Sequence, residues 1–121
     1  MLQTFEGLTG YIERLPGVSS DFPFGFDTRV FRVGKKIFVL MSWDDDPIRI
    51  SLKAEPADAI ILRQAYAAIT PGYHLNKQHW NTVVCDASVP DEEVRHMIDE
   101  SYRLVLEGLP REIRLEITSK N

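Results

Sequence analysis

Three things are scarce in this chain of 121 residues: cysteine, long apolar runs and surplus positive charge. A single cysteine, Cys85, excludes an internal disulfide and suits a reducing compartment. No apolar run approaches the ~20 residues of a membrane helix, and the first residues lack the basic-then-apolar order of a signal peptide. The expectation is a soluble, cytoplasmic protein with no membrane partner. Lys and Arg number 14 against 18 Asp and Glu, a formal charge of -4 that weighs against indiscriminate phosphate binding. Catalytic motifs are missing too. Neither Ser101 nor Cys85 sits in a pattern that would supply an activating base and an oxyanion site. Gly34-Lys35 lacks the preceding glycine and following helix of a phosphate-cradling loop. The chain therefore reads as non-enzymatic, with no cofactor implied. With no repeat, low-complexity tract or linker, its 44% hydrophobic and 26% charged residues describe one domain over 1–121.

What is present is clear periodicity. Phe5, Leu8, Tyr11, Ile12 and Leu15 follow helical spacing until Pro16-Gly17 stops it. Gly7 and Gly10 each cost that helix about 1 kcal/mol relative to alanine, so packing has to hold it. Residues 21–26 form a loop whose three phenylalanines are expected to close over the core. Residues 28–33 and 36–43 are rich in β-branched and aromatic types, and Gly34-Lys35 between them has the composition of a two-residue hairpin turn.

Asp44-Asp45-Asp46-Pro47 supplies the next turn. The three aspartates suggest a cation site, but no flanking ligand pattern supports calcium. Beyond them Ile48, Ile50 and Leu52 alternate with Arg49, Ser51 and Lys53, so one strand face is buried and the other wet and basic. Pro56 opens a helix running to about 69, with Ile61, Leu62, Ala65, Ala68 and Ile69 as its apolar positions. Residues 73–75 and 80–85 look like the arms of a second hairpin around Asn76-Lys77-Gln78. Pro90 starts the last helix, whose stripe of Val94, Met97, Ile98, Tyr102, Val105, Leu106 and Leu109 is the most regular in the chain. Within that stripe Ser101 reads as a small packing residue. In 111–117, Ile113, Leu115 and Ile117 alternate with charges, a pattern compatible with an added strand. The order helix, three strands, helix, two strands, helix predicts an α+β two-layer sandwich, largely antiparallel, with helices on one face.

Polar recognition chemistry concentrates at 71–83, PGYHLNKQHWNTV. Trp80 on an alternating strand is expected to pack rather than to stack on a base. His74 and Asn76 suit a turn in which they satisfy backbone groups. Histidines 74 and 79 with Cys85 match no zinc-finger spacing, so no metal is expected. Lys77 at the turn tip, like Lys35 and Lys36 at the first hairpin, reads either as solvated charge or as a phosphate contact.

The turn Leu15-Pro16-Gly17, the hairpin Gly34-Lys35-Lys36-Ile37-Phe38, Ser51-Leu52-Lys53, and Pro71-x-Tyr73-His74-Leu75-Asn76-Lys77-x-His79-Trp80-x-Thr82-Val83 occur in one order. With Val89-Pro90-Asp91-Glu92-Glu93 and Ser101-Tyr102-x-Leu104-Val105, this combination resembles the MmcQ/YjbR-like family over nearly the whole chain. The resemblance implies the α-β-β-β-α-β-β-α order seen in type III secretion chaperones and compared with the frataxin-like fold, and DNA binding through a double-wing arrangement of hairpins. Relatives often carry glycine where Ala87 stands after Asp86, which bears on the geometry of that turn.

Two functions survive. In the first, Lys35, Lys36, Arg49, Lys53 and Lys77 contact phosphates of a nucleic acid while His74, Asn76, His79 or Trp80 approach bases or sugars. In the second, the open sheet face or an edge strand receives a protein or peptide, as in a chaperone.

Overall fold

Alternating burial along the central strands sets the architecture. In the computed structural model, residues 1–72 and 75–119 are described. Six strands form one sheet in the order β1-β2-β3-β4-β6-β5, every neighbour antiparallel: β1 Val18–Asp21, β2 Arg29–Val33, β3 Lys36–Ser42, β4 Arg49–Lys53, β5 Ile69–Pro71 and β6 Trp80–Val84. Four helices accompany it: α1 Phe5–Glu13, α2 Pro56–Ala65, α3 Asp91–Glu107 and α4 Arg111–Ser119. α3 lies across β2, β3 and β4, α2 against β5 and β6, and α1 beside β1. The fold is an α+β sandwich with helices packed on the sheet.

Local sequence explains most boundaries. Thr4 caps α1, its hydroxyl accepting from the Gly7 N–H at 3.0 Å. α3 begins after Pro90 with Asp91, Glu92 and Glu93 where the helix dipole is positive, and buries Val94, Met97, Ile98, Ser101, Tyr102 and Val105. Gly34 and Lys35 have φ of 54° and 72°, the two left-handed residues of a type I′ hairpin turn. Ile50 and Leu52 of β4 are buried beneath the helices with Val39 and Met41 of β3. Phe38 is fully buried and meets Tyr102 edge-on at 5.4 Å, so truncating it to alanine would cost about 3–5 kcal/mol.

The Phe38 position carries a structural device. Register runs from Phe31 opposite Val39 to Arg32 opposite Ile37, so Phe38 is the extra residue of a β-bulge. Beside it the β3–β4 ladder is completed by a side chain. Ser101 donates its hydroxyl to the Phe38 carbonyl at 2.6 Å and accepts from the Lys53 N–H at 2.8 Å. Ser101 is thus more than a small packing residue: it joins two strands from within α3. Tyr102 next to it donates to the Pro16 carbonyl at 2.5 Å, tying α3 to the turn after α1.

Several expectations are corrected. A strand, β1, precedes the three predicted ones, because Ser19 to Asp21 pair with β2. α2 ends at Ala65 rather than near 69, since Ile69 is drawn into pairing with Val83. Ile69–Pro71 is the arm that pairs with β6, whereas the predicted arm was 73–75, of which Tyr73 and His74 lie outside the described residues. Residues 111–119 form a helix, not a strand. Ile113 and Ile117 stand one turn apart and reach the space above Gly34 and Gly17 respectively, so a single helical face docks at the hairpin end. Ile61 was expected to face the core, yet α2 buries only Ala59.

Candidate functional site

The second face of the sheet is made by the residues that alternate with the core. β4 puts Arg49, Ser51 and Lys53 there. Register sets Ser42 and Val84 beside Arg49, Leu40 and Thr82 beside Ser51, and Trp80 beside Lys53. Ser51 and Thr82 join their hydroxyls at 2.8 Å across the strands. Above Leu40, Ser51 and Thr82 lies a cavity of about 590 Å³, walled by Phe24 and Thr28 on one side and Leu75 on the other. That size is within the ~300–1,000 Å³ of ligand-binding clefts.

Two loops flank this groove. In the first, the three phenylalanines do not close over the core: Phe22, Phe24 and Phe26 are 42%, 66% and 84% exposed. The loop is held by its backbone, with the Trp43 indole N–H donating to the Phe26 carbonyl at 2.5 Å. The Arg29 guanidinium lies 5.9 Å from the Phe22 ring centre, with Phe5 and Phe31 at 5.8 and 5.2 Å. With Pro23 and Gly25 between them, the rings have no strand or helix to carry them inward.

The second loop is built as the turn chemistry of asparagine predicts. Asn76 accepts the Gln78 N–H on its side-chain oxygen at 2.9 Å, and its carbonyl accepts the His79 N–H at 3.1 Å. The His79 carbonyl takes the Ala54 N–H at 2.8 Å. From α2, Arg63 donates to the Asn81 side-chain oxygen at 2.7 Å and to the carbonyls of Lys77 and Trp80. Asn81, buried on the helix side, donates in turn to the Ala59 carbonyl at 3.3 Å. Arg63 and Asn81 were not singled out from the sequence, although an arginine on a helix and an asparagine inside a strand are each signals of a buried polar partner.

The predicted site residues divide into groups. Arg49, Lys53 and Trp80 share the second face, Trp80 half-buried there as packing on a strand requires. Lys35 and Lys36 are exposed at the β2–β3 turn, at the same end of the sheet as Lys53 and Trp80, while Arg49 stands at the other end. Asn76 and Lys77 are exposed on the second loop, and His79 is half-buried at its base. His74 lies outside the described residues. Leu40, Thr82 and Phe24 line the groove without having been foreseen. The alternation that buries Val39 and Met41 would have pointed to Leu40.

Electrostatically the groove is mixed. Asp45 stands 3.9 Å from Arg49, both more than half exposed, so the pair contributes little and is easily screened. Asp27 lines the same cavity. Arg32 is held by Asp21 at 3.2 Å. Among the described residues the ion pairs all use arginine, and Lys35, Lys36, Lys53 and Lys77 take part in none. Among the described residues no cluster of three or more His, Cys, Asp or Glu side chains is arranged to hold a metal, and no helix is long and apolar enough to cross a membrane. Burial pushes the Cys85 thiol up to about 12, with the Asp86 charge adding to the effect.

Comparison with known proteins follows the same outline. A family model described as YjbR matches residues 13–104, from the end of α1 into α3. The uncharacterised Escherichia coli O157:H7 protein YbdF is 38% identical over 97 residues, 80% of each chain. YjbR of Escherichia coli K12, also uncharacterised, is 32% identical over 111 residues, 92% of this chain and 94% of that one. Among solved structures, a Deinococcus radiodurans protein of the DUF419 domain family superposes with a TM-score of 0.91 at 39% identity, covering 97% of this chain and 89% of the other. A Pseudomonas syringae protein gives 0.72 at 26% identity, covering 84% and 98%.

Proposed function

The chain belongs to the YjbR family, and we propose that it is a small non-enzymatic binding module whose helix-free sheet face takes single-stranded nucleic acid. One observation carries this reading. Arg49, Lys53 and Trp80 lie on the side of the sheet away from α1, α2 and α3, with the exposed Phe24 along one margin of the groove and Lys77 on the loop that borders the other. Aromatic faces stack on any base, at about 1–3 kcal/mol each, while a few cations track the backbone. A net charge of -4 argues against a duplex binder that relies on many phosphates. Stacking asks for fewer.

The non-enzymatic part of the reading has its own support. Ser101 is committed in both directions to strand backbone, and the Cys85 thiol is buried and held protonated. A buried lone thiol also suits the cytoplasm, which belongs to the same reading.

A peptide in the same groove is the second reading, favoured by Asp27 and Asp45 in a lining that also holds Leu40, Leu75 and Phe24. Fluorescence anisotropy of a labelled oligothymidine separates the two. We expect binding whose log affinity falls with log salt by about 0.7 per neutralised phosphate, a slope of roughly 2 for three contacts. Replacing Arg49 and Lys53 together with glutamine should keep the circular dichroism spectrum and remove about 1.4 from that slope. An absent signal at millimolar protein, or an unchanged slope in the double variant, rejects the nucleic-acid reading.

A further inference from the structure

On the opposite side of the molecule, α2 and α3 do not close against each other. Between them is a cavity of about 230 Å³ whose floor and walls are Leu52, Leu62 and Met97. Its outer wall is Ile61, 60% exposed, and Ile60 beside it is 52% exposed. Two neighbouring isoleucines on one short helix therefore face solvent, which is costly unless something covers them.

The rim is acidic. Glu55 and Asp58 stand on the α2 side and Glu93 on the α3 side. Glu100 also lines the cavity but is held by Arg103 at 2.7 and 2.8 Å, which keeps its carboxyl below the usual carboxylate range. Lys53 touches the cavity wall, yet its register puts its side chain on the other face of the sheet.

We propose that this groove receives a basic amphipathic peptide segment of a partner protein, independently of what the opposite face binds. Volume decides the form of the occupant. About 230 Å³ falls below the ~300–1,000 Å³ of small-molecule clefts, so the cavity suits one apolar anchoring side chain of something larger. The apolar surface continues outward over the exposed Ile61, giving the rest of the anchor's helix turn a surface to lie on. Three carboxylates around an apolar slot select lysine or arginine beside the anchor and repel an anionic membrane surface. The arrangement is that of a helix laid in a groove between two helices.

The probe is a synthetic leucine–lysine amphipathic peptide of about four helical turns, titrated into the full chain while backbone amide shifts are followed by NMR. Shifts are expected along α2 and near Glu93 and Met97. Ile61→Lys, at an exposed position that folding tolerates, should weaken binding roughly tenfold or more, since tenfold is only 1.4 kcal/mol. Glu112→Gln on α4, exposed and outside both cavities, shifts the net charge by the same amount and should leave affinity unchanged. A leucine–glutamate peptide should not bind. Full affinity in Ile61→Lys, or shifts gathered around Arg49 and Thr82, overturns the proposal. So does a self-associated chain that Ile61→Lys converts to monomer, because a second copy would then be the occupant. Failure of oligonucleotide binding has no bearing on these outcomes, which read a different face.

Discussion

Ser101 and Ser51 show what separates the two faces of this sheet. Each serine hydroxyl bridges two elements, but Ser101 is fully buried between β3 and β4 with backbone partners on both sides, whereas Ser51 among the described residues meets a side chain, the Thr82 hydroxyl across the groove floor. A buried hydrogen bond is worth little net, but an orphaned buried backbone group is expensive. The covered face is therefore fixed by its polar contacts as firmly as by its apolar ones, and the other face is left substitutable.

The sharpest way to break that contrast is the same mutation on both sides. Ser101→Ala should lower unfolding free energy by about 2–4 kcal/mol in urea titration, because the Phe38 carbonyl and Lys53 N–H both lose their partner. Ser51→Ala should cost less than about 1 kcal/mol, because the lost bond joins two side chains and takes no partner from a buried backbone group. Comparable losses at the two positions would remove the distinction.

Next in size is an alkaline effect confined to the covered side. Cys85 is buried, and its folded pKa of about 12 lies above the 9.0 of a free thiol. The folded chain thus keeps a proton that the unfolded chain releases. Its stabilisation is complete below pH 9 and is lost as pH climbs towards 12. Stability curves of the wild type and Cys85→Ala should converge over that window. Tyr11, raised to about 12 by burial and by its hydrogen bond to Asp99 at 2.7 Å, adds to the same decline at the high end.

Arg63→Ala probes the link between the faces, since α2 holds the loop that borders the groove through this side chain. A loss of about 1–2 kcal/mol is expected, with faster hydrogen exchange at 75–79 than elsewhere. Ala87 belongs to neither face and serves as the smallest perturbation. It sits at φ 70°, a left-handed position where alanine is strained, so Ala87→Gly should stabilise by about 0.5–1 kcal/mol without altering groove or core. Destabilisation there would mean that the turn before α3 is held for other reasons.

How much of this was legible in the sequence depends on how many periods a segment satisfied. β4 and α3 each fit one period only, and their burial follows it residue by residue. Residues 113, 115 and 117 fit two, since alternate apolar positions four apart also share a helical face, and docking against Gly34 and Gly17 decides for the helix. The phenylalanine loop misled because residue type outweighed the Pro and Gly between the rings. For Ser101 no periodicity carries the message, as its role arises only where a bulge in another strand leaves a carbonyl exposed. The site was legible as far as alternation reaches: Arg49 and Lys53 share a strand face as read, the register adds Trp80 to it, and Lys35 and Lys36 belong to the hairpin end.

The most direct test of the central claim is NMR amide mapping with oligothymidine as the titrant. Shifts should gather at Arg49, Ser51, Lys53, Trp80 and Thr82 and in the flanking 22–28 loop, and fade with salt. Shifts that instead gather on α2 and α3, or none at all at millimolar concentration, would contradict the assignment of the helix-free face as the nucleic-acid surface.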